Sequence, residues 1–162
     1  AVKEMLLDVI ARAKSKFKFK LTAHSVMSNH IHLMIQPANG HDLPKIMQWS
    51  LSVFAMAYNR KFGLTGHVWQ DRYRSFIIES AYHYFRAFFY IADNPVRAGI
   101  VNRPADFRFS HAHEIVTGEY RITDPPDARL FEEAIKYFLS YRPFLQKIFR
   151  KDAGFYTSRI RK

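Results

Sequence analysis

The sequence predicts an α+β fold, with helices on one face of an antiparallel sheet in a two-layer arrangement and a helical appendage at the C-terminus. Side chains alternate across residues 17–36 and are interrupted once by a turn, which predicts two paired strands. Apolar residues at helical spacing before and after this hairpin predict the helices. We interpret residues 1–112 as one domain and residues 113–162 as a basic helical extension.

The charge balance indicates a polyanionic partner. Lys and Arg number 25 against 14 Asp and Glu, a formal net charge of +11, which is typical of proteins that bind nucleic acid. Aromatic residues form 16% of the chain and offer flat surfaces for unpaired bases. The chain has no cysteine, no apolar run near the roughly 18 residues of a membrane span and no signal peptide at its start. We therefore expect a soluble protein of the cytoplasm, without a membrane partner.

The first predicted elements are a helix over residues 2–15 and a strand over residues 17–27. One side of this strand carries the apolar residues, and the other carries Lys18, Lys20 and His24. This alternation predicts a half-exposed strand with a basic outer face.

A turn at Ser28-Asn29 leads into a second strand over residues 30–36. Because strand side chains alternate with a period of two, His30 and His32 share one face. Neutral imidazole is a common metal ligand, so the pair is a candidate half-site for a divalent cation. The alternative is an ordinary polar face in contact with solvent.

A helix that begins after Asp42 and ends at Gly63 is predicted from the capping residues and the helical period. The next segment, residues 66–78, is rich in aromatic and β-branched residues and is predicted to be a strand. Its residues suited to phosphate contacts and base stacking are Trp69, Arg72, Tyr73 and Arg74. The alternative for the tryptophan is packing in the core.

The following helix is predicted over residues 81–94, ending where Asn94 precedes a proline. Helical projection places Tyr90 on the polar face with Arg86 and Asn94, opposite a core face. The alternative is a tyrosine whose hydroxyl simply lies in water. A last helix is predicted near residues 127–149, and the chain ends in a basic tail that suits an electrostatic contact with nucleic acid.

Several separated motifs, in the same order, resemble the REP-associated tyrosine transposases, a group within the single-tyrosine His-hydrophobe-His transposases. The resemblance spans roughly residues 2–112. One departure is that family members usually begin with a strand before the first helix, whereas nothing of that kind precedes Val2 in this sequence. The motifs are Met27-Ser28-Asn29-His30-Ile31-His32-Leu33, Tyr58-Asn59-Arg60, Gly66-His67-Val68-Trp69-Gln70-Asp71-Arg72-Tyr73, Tyr90-Ile91-Ala92-Asp93-Asn94-Pro95-Val96-Arg97-Ala98-Gly99-Ile100-Val101 and Phe109-Ser110.

The resemblance implies a ferredoxin-like or RRM-like sheet and a metal-dependent enzyme that nicks and rejoins single-stranded DNA at hairpins of palindromic repeats. It implies His30 and His32 as metal ligands, Asn94 at the position of a third ligand, Tyr90 as the nucleophile, and Mg²⁺ or Mn²⁺ as the ion. The expected product is a 5′-phosphotyrosine link, and the expected state is a monomer or homodimer. The candidate DNA-binding residues are Arg72, Arg74, Arg86, Trp69, Tyr73, Lys18, Lys20 and Arg97.

Two other functions stay open on the sequence. A hairpin-DNA-binding protein would keep the scaffold with little or no catalysis. An RNA-binding module of the RRM type would need neither the two histidines nor Tyr90. Because a neutral phenol is a weak nucleophile, the nicking enzyme would need a cation or Arg86 to favour the phenolate.

Overall fold

The structure is a computed structural model that describes residues 2–125 and the pair Ser158–Arg159. The elements in chain order are α1 (Val2–Lys16), β1 (Phe19–Val26), β2 (His30–Pro37), α2 (Leu43–Phe62), α3 (Ala81–Arg97), a 3₁₀ turn (Pro104–Asp106), α4 (His111–Thr117) and β3 (Ser158–Arg159). The sheet order is β1-β2-β3. The predicted α+β class with an antiparallel sheet is therefore confirmed. Among the described residues, no helix is long and apolar enough to cross a membrane.

The β1–β2 hairpin is closed by a two-residue turn at Ser28 and Asn29, as predicted. The Met27 amide donates to the His30 carbonyl at 2.9 Å, and Val26 pairs with Ile31 in the antiparallel register. This short turn fixes the register, and so it fixes which face each histidine of β2 occupies.

A register shift between Leu21 and Ala23 changes the alternation that the sequence predicts for β1. An extra residue in one strand turns the following side chains to the other face. His24, which was expected on the exposed basic face, is instead fully buried. The prediction for His24 is wrong because no pattern of apolar residues in the sequence reveals the bulge. Lys18 and Lys20, which precede the bulge, are exposed as expected.

Helices cover both faces of the hairpin. The first face, which includes Leu21 and Ile31, packs against buried residues of α1 and α2. The opposite face, which includes Ala23 and Met34, packs against α3. The expectation that the helices lie on one face holds for α1 and α2 and is wrong for α3. The difference matters because β2 places His32 on the face that α3 covers.

Helix α3 begins at the predicted cap, where the Ser80 hydroxyl accepts a hydrogen bond from the His83 amide at 3.2 Å. It does not end at Asn94, since Pro95 lies inside it and the helix continues to Arg97. A proline in a helix costs a hydrogen bond and a clash, but Pro95 is buried, so its packing offsets part of that cost. The extra turn carries Arg97 to the neighbourhood of Tyr90.

Residues 66–78 form no strand, apart from an isolated bridge at Trp69, so the strand predicted there is wrong. A strand is stable only with a partner that takes its backbone hydrogen bonds, and none of the named strands pairs with this segment. Phe76 and Ile77 are consequently exposed, although their residue types favour a sheet.

The packed structure continues beyond residue 112. Ile122 is buried in the core between α1, α2 and the first face of the hairpin. Asp124 exchanges hydrogen bonds with the Leu21 backbone at 2.7 and 2.8 Å and accepts one from Lys14 at 2.8 Å. The division of the chain at 112 stays a prediction, and the helix predicted near residues 127–149 lies outside the described residues.

Candidate active site

The histidines of β2 face each other at the end of the strand nearest the turn. Their ring centroids are 5.0 Å apart and the rings are nearly perpendicular, as the alternation along β2 predicts. His32 is buried, with 8% of its surface exposed, whereas His30 is half-buried. The pair therefore forms one recess with a deep ring and a more accessible ring.

The side-chain oxygen of an asparagine lies near each ring nitrogen of His30. The Nδ1 atom of His30 lies 2.8 Å from the Asn29 Oδ1 atom, and the Nε2 atom lies 3.4 Å from the Asn94 Oδ1 atom. If the neutral ring donates its Nδ1 proton to Asn29, its Nε2 lone pair faces the oxygen of Asn94. Because the His30 Nε2 and Asn94 Oδ1 atoms would then both carry lone pairs, a cation bound by the two atoms would be favoured.

Tyr90 lies against this recess from the helix that covers it. Its ring centroid is 5.5 Å from that of His32, and only 8% of the residue is exposed. This side of α3 packs on the polar face of β2, so Tyr90 does not lie in solvent, which was the alternative that the sequence left open. Asn94 is one turn further along α3 and is also buried. One helix thus brings both residues to the histidines.

The electrostatic environment keeps His32 neutral at physiological pH. Burial and, to a smaller extent, the nearby His30 lower the pKa of His32 to about 4, against the opposing effect of the Asn94 side chain. The His32 Nε2 atom is buried and has no hydrogen-bond partner among the described residues. An unprotonated, unsatisfied imidazole nitrogen suits a metal ligand.

Within residues 2–125, no cluster of three His, Cys, Asp or Glu residues suited to a metal is found. The protein would therefore offer two imidazoles and the amide oxygen of Asn94. This donor set leaves positions for substrate or water and suits ions such as Mn²⁺ and Mg²⁺.

A cation from α3 also lies at the site. The guanidinium carbon of Arg97 is 5.5 Å from the centre of the Tyr90 ring. Sequence reasoning assigned Arg97 only to DNA binding and placed Arg86 beside the tyrosine. The position of Arg97 was missed because α3 was expected to end before it. Asn29 was also missed as a partner of His30, although its place directly before the histidine was visible in the sequence.

Some of the other candidate DNA-binding residues lie beside the site, and others lie far from it. Tyr73 and Arg74 line a groove that also includes His32 and Tyr90, and Arg72 beside them is exposed. Lys20 pairs with Gln36, six residues from His30, so it lies about 20 Å along the strand from the site.

Trp69 packs against the core between α1, α2 and the first face of the hairpin. Its indole N–H donates to the Leu51 carbonyl at 2.9 Å, and its ring packs 5.2 Å from that of Phe54. These contacts favour the packing alternative for the tryptophan over base stacking.

Comparison with known proteins gives two matches. Residues 1–94 match the family model described as IS200-like transposase. A solved structure of a REP-associated tyrosine transposase bound to a REP hairpin is 28% identical in sequence, covers 76% of this chain and 73% of its own, and superposes with a TM-score of 0.62. A search of curated protein sequences gave no match.

Proposed function

The chain belongs to the IS200-like transposase family, and from this membership we propose that it is a metal-dependent single-stranded DNA endonuclease and strand transferase. The proposed substrate is DNA that folds into a hairpin at a palindromic repeat. The observation that carries the proposal is the convergence of His30, His32 and Asn94 with Tyr90 in one recess. The hairpin bound to the related transposase supports the choice of substrate.

The ion-binding role is proposed for His30, His32 and Asn94. The unpartnered Nε2 atom of His32 and the facing acceptors of His30 and Asn94 fit this role. A divalent ion such as Mg²⁺ or Mn²⁺ supplies charge neutralisation and polarisation at an anionic phosphodiester when it is bound. Asn29 orients His30 through its Nδ1 atom, as partners of metal-binding histidines generally do.

The nucleophile in this proposal is the phenol oxygen of Tyr90. It gives up its proton and bonds to phosphorus, the bond from phosphorus to the 3′ oxygen breaks, and that oxygen takes a proton as it leaves. A 5′-phosphotyrosine link and a free 3′-hydroxyl result. Arg97, whose cation lies against the Tyr90 ring, stabilises negative charge that develops on the phenol.

Strand transfer is the same step in reverse. The phosphotyrosine link retains the energy of the broken phosphodiester, so the 3′-hydroxyl of a second strand attacks phosphorus and releases Tyr90. Neither direction needs a nucleotide cofactor.

A covalent-adduct experiment tests the proposal. The protein is incubated with Mn²⁺ and a single-stranded oligonucleotide that contains a palindromic hairpin with unpaired flanks, and adducts are separated under denaturing conditions. We expect an adduct with the natural protein, none with Tyr90→Phe, and hairpin binding by Tyr90→Phe within about tenfold of the natural value. Tyr82→Phe is the matched control, because Tyr82 is a half-buried tyrosine of the same helix, and it should keep the adduct.

Hairpin binding with no adduct across a range of palindromes and divalent ions would contradict the proposed chemistry. It would favour the alternative of a hairpin-DNA-binding protein with little or no catalytic activity.

A further inference from the structure

The cation beside Tyr90 comes from an exposed side chain at the end of α3. Arg97 is the last residue of the helix and lies seven positions after Tyr90, about 10 Å further along the helix axis. Its guanidinium carbon is nevertheless 5.5 Å from the centre of the Tyr90 ring, so the side chain runs back towards the start of the helix. A long exposed side chain has many rotamers, so a cation held in one of them needs a contact that fixes it.

Asp93 lies beside the path that the Arg97 side chain takes. At about 100° per residue, Tyr90, Asp93 and Arg97 fall within about 60° of one another around α3. Asp93 is one turn before Arg97, which is the spacing at which an acid and an arginine on one helix attract each other. Asp93 is half-buried, so solvent screens its charge less than that of an exposed carboxylate. Burial raises the pKa of the Asp93 carboxyl, and the Arg97 cation acts in the opposite direction.

We propose that Asp93 is a positioning residue, whose carboxylate holds the Arg97 guanidinium against the Tyr90 ring. The proposal rests on the proposed function, in which this cation stabilises negative charge on the phenol oxygen. Asp93 takes no part in the bond changes and acts through Arg97.

Other roles for the Asp93 carboxylate fit the structure less well. Arg103 lines the same cavity of about 340 Å³ between α3, the 3₁₀ turn and α4, but its Nε and Nη2 atoms donate to the two carboxylate oxygens of Asp106 at 3.0 and 2.8 Å. The helix dipole favours acids at the N-terminal end of a helix, whereas Asp93 is one turn from the C-terminal end of α3. Arg97 is therefore the partner that best accounts for a carboxylate at this position.

The two ways in which Asp93 could affect Tyr90 have opposite signs. A negative charge that acts alone near the phenol opposes the charge that develops on its oxygen, so its removal would speed the attack on phosphorus. A carboxylate that fixes Arg97 has the reverse effect, because its loss lets the stabilising cation move away. The direction of the change in rate thus separates positioning from simple proximity.

The test measures single-turnover adduct formation by the full chain with Mn²⁺ and a hairpin oligonucleotide that has unpaired flanks. Asp93→Asn keeps the size of the side chain and removes its charge. It should slow adduct formation about tenfold, with the dissociation constants of the hairpin and of Mn²⁺ changed less than about twofold. Asp93→Glu keeps the carboxylate and should lose less than about threefold in rate. Glu79→Gln is the matched control, because it removes an exposed acid at the opposite end of α3 from Arg97, and it should leave the rate unchanged.

A double-mutant cycle locates the effect on Arg97. Arg97→Ala alone should slow adduct formation about thirtyfold, and Asp93→Asn should cause no further loss in that background, because the group that Asp93 positions is gone. Losses that multiply in the double variant would overturn the proposal, and so would an unchanged or faster rate for Asp93→Asn. A loss of Mn²⁺ affinity equal to the loss of rate would also overturn it, because Asp93 would then act on the ion site.

An NMR measurement on the DNA-free protein tests the positioning without catalysis. The ring current of Tyr90 should shift the side-chain protons of Arg97 upfield in the natural protein and in Glu79→Gln, and Asp93→Asn should move them towards the values of a free arginine. Unchanged shifts in Asp93→Asn would overturn the proposal even with the nicking activity confirmed. The expected change in shift, with no adduct from the natural protein, would refute the nicking activity and leave the positioning of Arg97 by Asp93.

Discussion

The hairpin carries histidines in two very different environments. The site pair, His30 and His32, lies beneath α3, with the Tyr90 ring against His32 and the Asn94 oxygen beside His30. The buried pair, His24 of β1 and His111 of α4, is fully buried, with ring centroids 6.4 Å apart. The comparison teaches that residue type and burial do not separate a chemical site from a structural one; the partners of each ring do.

The partners of the buried pair are structural. His24 Nδ1 lies 3.0 Å from the Thr123 hydroxyl, and His111 Nδ1 lies 3.0 Å from the His24 carbonyl oxygen. Glu114 lies 3.8 Å from His24 Nε2 and accepts a hydrogen bond from the Thr123 amide at 2.9 Å. These bonds attach α4 and the segment after it to the edge of β1. The pair therefore holds the scaffold on which the site pair sits.

The largest effect should come from His32→Ala. Loss of this ring removes a proposed ligand, so we expect adduct formation to fall by about a thousandfold or more while the circular dichroism spectrum keeps its native form. His41→Ala, which changes a half-buried histidine before α2, is the control and should retain activity. Equal activity of the two variants would contradict the assigned role of His32.

The second effect should appear in stability and not in chemistry. His24→Ala leaves a cavity and unpaired polar groups around Glu114 and Thr123, so we expect the free energy of unfolding to fall by about 2–4 kcal/mol. Denaturant unfolding measures this, with the exposed His83→Ala on α3 as the control. A change below about 0.5 kcal/mol would mean that the buried pair does not hold α4 in place.

The third effect is a pH dependence of stability. Burial lowers the pKa of His24 to about 3, with a smaller contribution from His111, and burial lowers the pKa of His111 to about 4. Below a pH of about 6.5 both histidines bind a proton in the unfolded chain, whereas in the folded chain they stay neutral. Stability should therefore fall as the pH drops from 6.5 towards 4, by up to about 1.4 kcal/mol per pH unit for each histidine.

Unfolding measured between pH 7 and pH 5 checks this dependence above the range in which carboxylates titrate. His24→Gln should reduce the slope. A natural protein whose stability is constant over this interval would contradict the burial of both rings in neutral form.

The smallest effect should come from Asn29→Ala. Its side chain contacts the Nδ1 atom of His30 from an exposed position, so its loss should weaken Mn²⁺ affinity and adduct formation about tenfold without loss of stability. Ser28→Ala, the other exposed residue of the turn, is the control. Unchanged affinity for Mn²⁺ would contradict the proposed role of Asn29 in orienting His30.

Much of the fold was predictable because its signals are local. The helical period gave α1 and α2 close to their bounds, and the turn with its alternating flanks gave the hairpin. The failures depend on distant contacts. The bulge after Leu21 buries His24 beneath α4, and packing tolerates Pro95 inside α3. Residues 66–78 have the composition of a strand, but none of the described strands pairs with them.

The site was predictable to a similar degree. Alternation alone placed His30 and His32 on one face, and helical spacing placed Tyr90 and Asn94 on one side of α3. No local pattern shows that this side of α3 packs on that face of β2, which is why a Tyr90 hydroxyl in water stayed open as the alternative. The contact of Arg97 with Tyr90 depends on the extra helical turn after Pro95.

The central claim is that Tyr90 carries the covalent link to DNA. The adduct formed by the natural protein is digested with nuclease and protease, and mass spectrometry locates the tyrosine that retains a nucleotide phosphate. The account predicts the modification on Tyr90, with the remaining tyrosines unmodified. A nucleotide on Tyr73, Tyr82 or Tyr84 in place of Tyr90 would contradict it.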